Sequence, residues 1–297
     1  LAAPPSFERL FSDFLRWEPV APTSAQQLAA VTANLCRLLR DEVLEEIEFG
    51  NRALTDLAAD WRKLLFPDAG KDEFADGYAQ AITFGLLMAR AQGIPVTDGL
   101  DKVARALGRT NTIIGSAFRV LTDEASNDTV LRTSLDTLTR VLGVVDWAAI
   151  ANKTPEAWLY FYEHFLGVYD NALRKRTGSY YTPPEVVRVM VRLVDDALRD
   201  PRRFRVAAGL GAPEVTLADP GVGTGTFLLG VLNHVAQATA IDLGAGAVPA
   251  VARNLLSRII GFELQFGPFA VAQLRLLAEI ADLMGLSAQD AQQVNLR

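Results

Sequence analysis

Residues 217–227 read Leu-Ala-Asp-Pro-Gly-Val-Gly-Thr-Gly-Thr-Phe. One carboxylate, Asp219, is followed by Pro220 and then by Gly221, Gly223 and Gly225 at alternate positions, ahead of Thr226 and Phe227. The apolar run Val215 to Ala218 predicts a buried strand, and Thr226-Phe227-Leu228-Leu229 opens a helical pattern. Strand, glycine-rich turn and helix in this order form the nucleotide-facing corner of a doubly wound sheet. Glycine lets the backbone turn tightly and lie against a ligand where a Cβ would intrude. The N-terminus of the helix after the turn offers N–H donors to ligand oxygens.

A second carboxylate completes the chemistry. Arg258-Ile259-Ile260-Gly261-Phe262-Glu263-Leu264 reads as a short apolar strand closed by Glu263. A carboxylate at the end of the strand beside the glycine-rich one can accept two hydrogen bonds from a ribose diol. Glu263 stands 38 positions after Gly225, so an extra helix must lie between them. The dinucleotide fingerprint demands glycine where this chain has Thr226, which weakens a nicotinamide-linked oxidoreductase reading. No lysine follows the glycines, which removes a P-loop. As plain structure, Asp219 and Glu263 are strand-end caps.

A third stretch lies upstream, at Arg174-Lys175-Arg176 and then Gly178-Ser179-Tyr180-Tyr181-Thr182-Pro183-Pro184-Glu185. Thr182 and Glu185 have the spacing of a capping box, and prolines in a first helical turn forfeit no hydrogen bond. Tyr180, Tyr181 and Thr182 therefore sit on a loop entering a helix N-terminus, an arrangement suited to a carboxylate. Residues 171–205 hold nine basic and four acidic side chains, +5 within a chain of net charge −6. A local basic stripe on an acidic protein can guide a polyanion to one face, and it can equally be a solvated helix surface.

These residues need elements to position them. Residues 1–170 read as an all-helical domain. Ser24 caps a run with Leu28, Val31, Leu35 and Leu38 on one face, and further helices are expected over 51–66, 72–90, 98–107, 111–122 and 129–142. A helix from Thr154-Pro155 carries Trp158, Phe161, Tyr162, Phe165 and Tyr169, and is expected to dock the helical half onto the C-terminal half. Residues 171–297 read as β-α-β-α-β with a parallel sheet, its ligand site at the strands' carboxyl ends, where Asp219 and Glu263 fall. The helix after Pro184 is expected to bury Val187, Met190, Val191, Val194 and Leu198.

Bulk properties exclude several classes. A chain of 297 residues suggests two domains, and 50% apolar with 22% charged residues fits a folded, water-soluble protein. No apolar stretch approaches the ~20 residues a membrane span requires. A single cysteine excludes an internal disulfide and a thiolate cluster and points to a cytoplasmic protein. Two distant histidines, His164 and His234, argue against a histidine metal site or a Ser-His triad.

Taken together the motifs carry a resemblance. Asp219 to Phe227 resembles the first motif of adenine-N6 DNA methyltransferases that use S-adenosylmethionine. Gly178 to Pro183 resembles the motif that precedes it in the gamma-type order, and Gly261-Phe262-Glu263-Leu264 is similar to the second. The helical half resembles, more loosely, the N-terminal domain of type I modification subunits and single-chain restriction–modification enzymes. The resemblance implies an α/β fold, in which the helical domain precedes part of a Rossmann-like S-adenosylmethionine-dependent domain. It implies that Tyr180, Tyr181 and Thr182 meet the methionine end of the cofactor and that Asp219 faces its amino group. Gly221, Gly223 and Gly225, with Pro220, Thr226 and Phe227, would form the turn beneath it. Glu263 would hold the ribose hydroxyls, flanked by Phe262 or Leu264 at the adenine. Arg174, Lys175 and Arg176 would meet double-stranded DNA, in a restriction–modification or phage-defence setting with a specificity, nuclease or helicase subunit or domain as partner.

The family's tetrapeptide of Asn, Asp or Ser, two prolines and an aromatic is absent, and Thr182-Pro183-Pro184-Glu185 lacks the aromatic. That tetrapeptide accepts the adenine amino proton and stacks the flipped base. The chain starts at Leu1 and closes on the strand-like Val294-Asn295-Leu296-Arg297, so it reads as a piece of a longer protein that holds the cofactor without methylating. The competing reading is a non-catalytic module whose helical half binds DNA or a partner.

Overall fold

The computed structural model describes residues 21–64, 70–108, 131–146, 150, 157–170 and 182–285. The expected helix over 111–122, the Thr154-Pro155 helix start, the Arg174 to Tyr181 stretch and the third strand at 294–297 lie outside these residues.

The helical half consists of α1 (Ala25–Glu48), α2 (Arg52–Leu64), α3 (Lys71–Ala91), α4 (Leu100–Gly108), α5 (Arg132–Gly143) and α6 (Ala157–Tyr169). Ser24 caps α1 as its side chain predicts, its hydroxyl accepting the Gln27 N–H at 3.2 Å. The buried face of α1 differs from the expected one. Leu28, Ala29, Ala33, Cys36, Leu39 and Val43 are fully buried, whereas Val31 and Leu38 face solvent. Small residues on the inward face let α1 lie close against α3 and α6. Helix α3 is buried on all sides from Tyr78 to Ala89, the mark of a central helix rather than an amphipathic one. Phe84 on α3 meets the rings of Phe161, Tyr162 and Phe165 at 6.3, 5.8 and 4.9 Å. From Phe161 to Tyr169 the aromatic stripe of α6 is thus core, its rings meeting Phe84 edge-on or tilted and stacking on one another along the helix.

The second half holds α7 (Pro184–Arg199), β1 (Leu217–Asp219), α8 (Thr226–Asp242), α9 (Val248–Leu256), β2 (Ile259–Gly261) and α10 (Phe266–Met284). The strands pair in parallel, Leu217 with Ile259, Ala218 with Ile260 and Asp219 with Gly261. Helices α8 and α9 form the crossover that a parallel pair requires. The strands are three residues long and alternate in burial, with Ala218 and Ile260 exposed. The fully buried strand that the apolar run predicts is therefore not seen, because nothing among the described residues covers that face of the sheet. Most of the described chain is helical.

Helix α7 departs from expectation in two ways. Pro183, not Thr182, occupies its cap position and no side chain caps it, so the capping box is absent. Glu185 instead lies 3.4 Å from Arg188 on the exposed surface. Val187 and Val191 are buried as expected, while Met190 and Val194 are half-exposed and the polar Asp195 takes the inward position.

Helix α10 joins the halves. Ala270 and Val271 enter the helical core, while Ala272, Leu276 and Ile280 pack against α8, α9 and β2 in the second core.

Candidate functional site

The glycine turn leaves β1 and enters α8, and its three glycines are not equivalent. Gly223 and Gly225 have φ of +54° and +81°, left-handed backbone that glycine adopts without strain. Gly225 is also tight, since a Cβ there would lie 3.2 Å from Ala272 Cβ on α10. Gly221 has neither a positive φ nor any atom within 4 Å of where its Cβ would stand. Nothing inside the described fold requires glycine at 221, and its open side is exposed.

Both carboxylates organise the turn. Asp219 Oδ1 accepts the Gly221 N–H at 3.0 Å, closing a tight turn of the kind aspartate makes with backbone two residues on. Glu263 Oε2 accepts the Gly223 N–H at 2.9 Å and its Oε1 accepts the Gln265 N–H at 2.8 Å. The backbone ladder extends past the strands, Phe262 N–H to Asp219 O at 2.9 Å and Val222 N–H to Phe262 O at 3.0 Å, so the two acidic ends are fixed side by side. Each Glu263 oxygen keeps a second lone pair for a further donor. Phe262 and Leu264, on either side of it, are 59% and 79% exposed, large apolar surface at the rim of the turn.

A cation holds the turn from below. Arg275 on α10 sends Nη1 to Thr224 O at 2.6 Å, to Thr224 Oγ1 at 3.2 Å and to Thr226 Oγ1 at 3.3 Å. Sequence reasoning missed it. Its signal was the one charged residue in the stretch Phe269 to Leu277, where Gln273 is the only other polar side chain.

Helix α7 runs beside α8 in the same sense. A Cβ on Gly230 would meet Val187 at 2.6 Å, and eight residues further along α7, Asp195 reaches His234 at 2.9 Å. Both N-termini therefore stand at one end, so Thr182, two residues before α7 begins, lies at the glycine-turn end of the pair. Asp195, 5% exposed, also accepts Arg199 Nε at 2.9 Å and the Leu210 N–H at 2.7 Å. Burial raises its carboxyl, but the bonds from His234, Leu210 and Arg199 outweigh that and hold it below the usual range.

The structure thus brings together Asp219, Pro220, Gly221, Gly223, Gly225, Thr226, Phe227, Glu263 and Leu264 around one turn. Tyr180, Tyr181, Arg174, Lys175 and Arg176 lie outside the described residues. Among the described residues no group of three or more His, Cys, Asp or Glu side chains is placed to hold a metal. Likewise, no described helix is long and apolar enough to cross a membrane.

Comparison with solved structures gives the same architecture. The chain superposes on part of the DrdV–DNA complex with a TM-score of 0.63 at 20% identity, covering 93% of this chain and 26% of that one. It superposes on the ATP-dependent type ISP restriction-modification enzyme LlaBIII bound to DNA with 0.60 at 15%, covering 88% and 17%. For a nuclease-deletion mutant of the type ISP enzyme LlaGI with a DNA substrate mimic the values are 0.59 at 13%, covering 93% and 21%. The chain spans about a quarter or less of the length of each. Comparison with curated proteins gives no match. The family model for N-6 DNA methylase matches residues 159–283, from within α6 to the end of α10. Over that segment the chain carries the N-6 DNA methylase pattern, the family its motifs resemble.

Proposed function

We propose that the glycine turn is the S-adenosylmethionine cradle of a Rossmann-like, adenine-specific DNA methyltransferase belonging to a restriction–modification system. The observation that carries this reading is Gly221, which has no steric or conformational need to be glycine within the fold and opens outward beside Asp219 and Glu263. A ligand lying on the turn supplies the missing reason. The family match over 159–283 favours a methyl donor over a nicotinamide as that ligand.

The residues fit that ligand part by part. Glu263 would take the ribose hydroxyls on its remaining lone pairs, and exposed Phe262 and Leu264 would sandwich the adenine. Asp219 would face the methionine ammonium. Thr182, with Tyr180 and Tyr181, would hold the carboxylate near the α7 N-terminus, whose unpaired N–H groups favour negative charge. Bound there, the cofactor supplies an electrophilic sulfonium methyl. The chain's own residues orient it, and no group of this chain is assigned to the adenine amino proton, because the Pro-Pro-aromatic tetrapeptide is absent. Arg174, Lys175 and Arg176 would meet the duplex. A target-recognition, nuclease or helicase part would belong to the longer protein or a partner.

Titration calorimetry tests this. One S-adenosylmethionine per chain and no heat with NADH are expected. Binding of NADH with none of S-adenosylmethionine would overturn the reading.

A further inference from the structure

Four groups connect the helical half to the glycine turn in series. Tyr162 on α6 donates its hydroxyl to Gln265 Oε1 at 3.2 Å. Gln265, the cap residue of α10, donates its N–H to Glu263 Oε1, and Glu263 Oε2 accepts the N–H of Gly223. Tyr162 is 2% exposed, and burial, reinforced by the charges of Asp76 and Glu263, pushes its phenol well above the ordinary value. Its hydroxyl therefore remains a neutral donor at any working pH.

The contact is held tightly from both sides. A Cβ on Gly267 would stand 2.5 Å from the Tyr162 ring, 2.9 Å from Gln80 Oε1 and 3.1 Å from the Phe84 ring, so the start of α10 is pressed against α3 and α6. Two turns along the same face of α6, Tyr169 donates to Asp76 Oδ1 on α3, and the Arg40 guanidinium lies 5.3 Å over its ring. Asp76 is further tied to Gln80 Nε2 at 3.0 Å. Helix α6 is thus a strut with two fixed tyrosine hydroxyls, Tyr169 at its C-terminal end in the helical core and Tyr162 near its middle beside the cradle.

We infer that Tyr162 and Gln265 are positioning residues for the cradle, setting Glu263 and Gly223 so that cofactor affinity depends on how α6 is seated in the helical half. This rests on the cofactor reading above, and the test separates the two. In the ligand-free chain, Tyr162→Phe and Gln265→Ala should each speed amide hydrogen exchange over 221–226, with the melting temperature little changed. Each should weaken S-adenosylmethionine about fivefold, the usual worth of one neutral hydrogen bond. The double variant should be no weaker than either single one, because both break the same series.

Unchanged exchange over 221–226, or fully additive losses, would overturn the inference. So would a lowered melting temperature with unchanged affinity, since that is the signature of packing alone. If wild-type chain bound no S-adenosylmethionine, the cofactor reading would fall and the affinity part of the inference with it, while exchange still decided the mechanical link. Gln265, at the half-exposed end, carries the test if Tyr162→Phe fails to fold.

Discussion

The Glu263 carboxylate accepts the Gly223 N–H at 2.9 Å, so the acidic end of one strand directly holds the turn that leaves its neighbour. The residue that a sequence reading assigns to a ribose is, in the folded chain, first a brace for the turn. The two roles are compatible, because a carboxylate has about four acceptor sites and the backbone uses two.

Substitution separates these roles. Glu263→Gln keeps one amide oxygen but turns a donor toward one of the two N–H groups. Glu263→Ala loses both bonds. The expected stability loss is about 1–3 kcal/mol for the alanine variant and less for glutamine, read by urea denaturation. S-adenosylmethionine affinity should fall at least tenfold in both, because a ribose diol also loses its acceptor. Affinity retained in Glu263→Gln would show that Glu263 is a brace only.

Gly267→Ala probes the junction of the halves. Its added methyl would meet the Tyr162 ring at 2.5 Å and the Phe84 ring at 3.1 Å, and both rings are buried. Overpacking of this kind costs about 1–3 kcal/mol, and the denaturation midpoint should move accordingly. A neutral effect would mean that α10 slides freely over α6.

Asp195 makes a pH prediction. Its carboxyl is held below its ordinary value, so its stabilisation is fully present above the unfolded value near ~3.9 and is lost as pH falls through the lower folded value. The stability gap between wild type and Asp195→Asn should be about 1–3 kcal/mol at pH 7. It should shrink as pH falls below about 4. A gap independent of pH down to acid unfolding would contradict the assigned charge network.

For the basic segment, charge reversal at Arg174 and Arg176 should weaken duplex binding and flatten its dependence on salt, since fewer counterions are released. Fluorescence anisotropy at two or three salt concentrations reads both. Equal affinity and equal slope would make the segment a solvated surface.

The positions of the turn, of both carboxylates and of most helices were legible in the sequence because each has a local cause. Ser24 caps, glycines turn and apolar residues repeat at helical spacing. What was not legible depends on contacts across the chain. The capping box at Thr182 and Glu185 satisfies the local rule, yet Pro183 takes the cap position. Val31 and Leu38 are apolar at helical spacing, but the neighbours of α1 pack along its alanines and Cys36 instead. Arg275 reaches Thr224 across 51 residues and Tyr162 reaches Gln265 across 103, separations over which no sequence period operates.

Gly221→Val puts the cradle itself to the test. The turn has an ordinary φ at 221 and open space where the side chain would go, so the variant should fold and melt like the wild type. If the turn cradles S-adenosylmethionine, the valine side chain occupies the ligand's place, and calorimetry should show binding lost at cofactor concentrations that saturate the wild-type chain. Unchanged affinity in a normally folded Gly221→Val chain would mean that the cofactor does not lie on this turn.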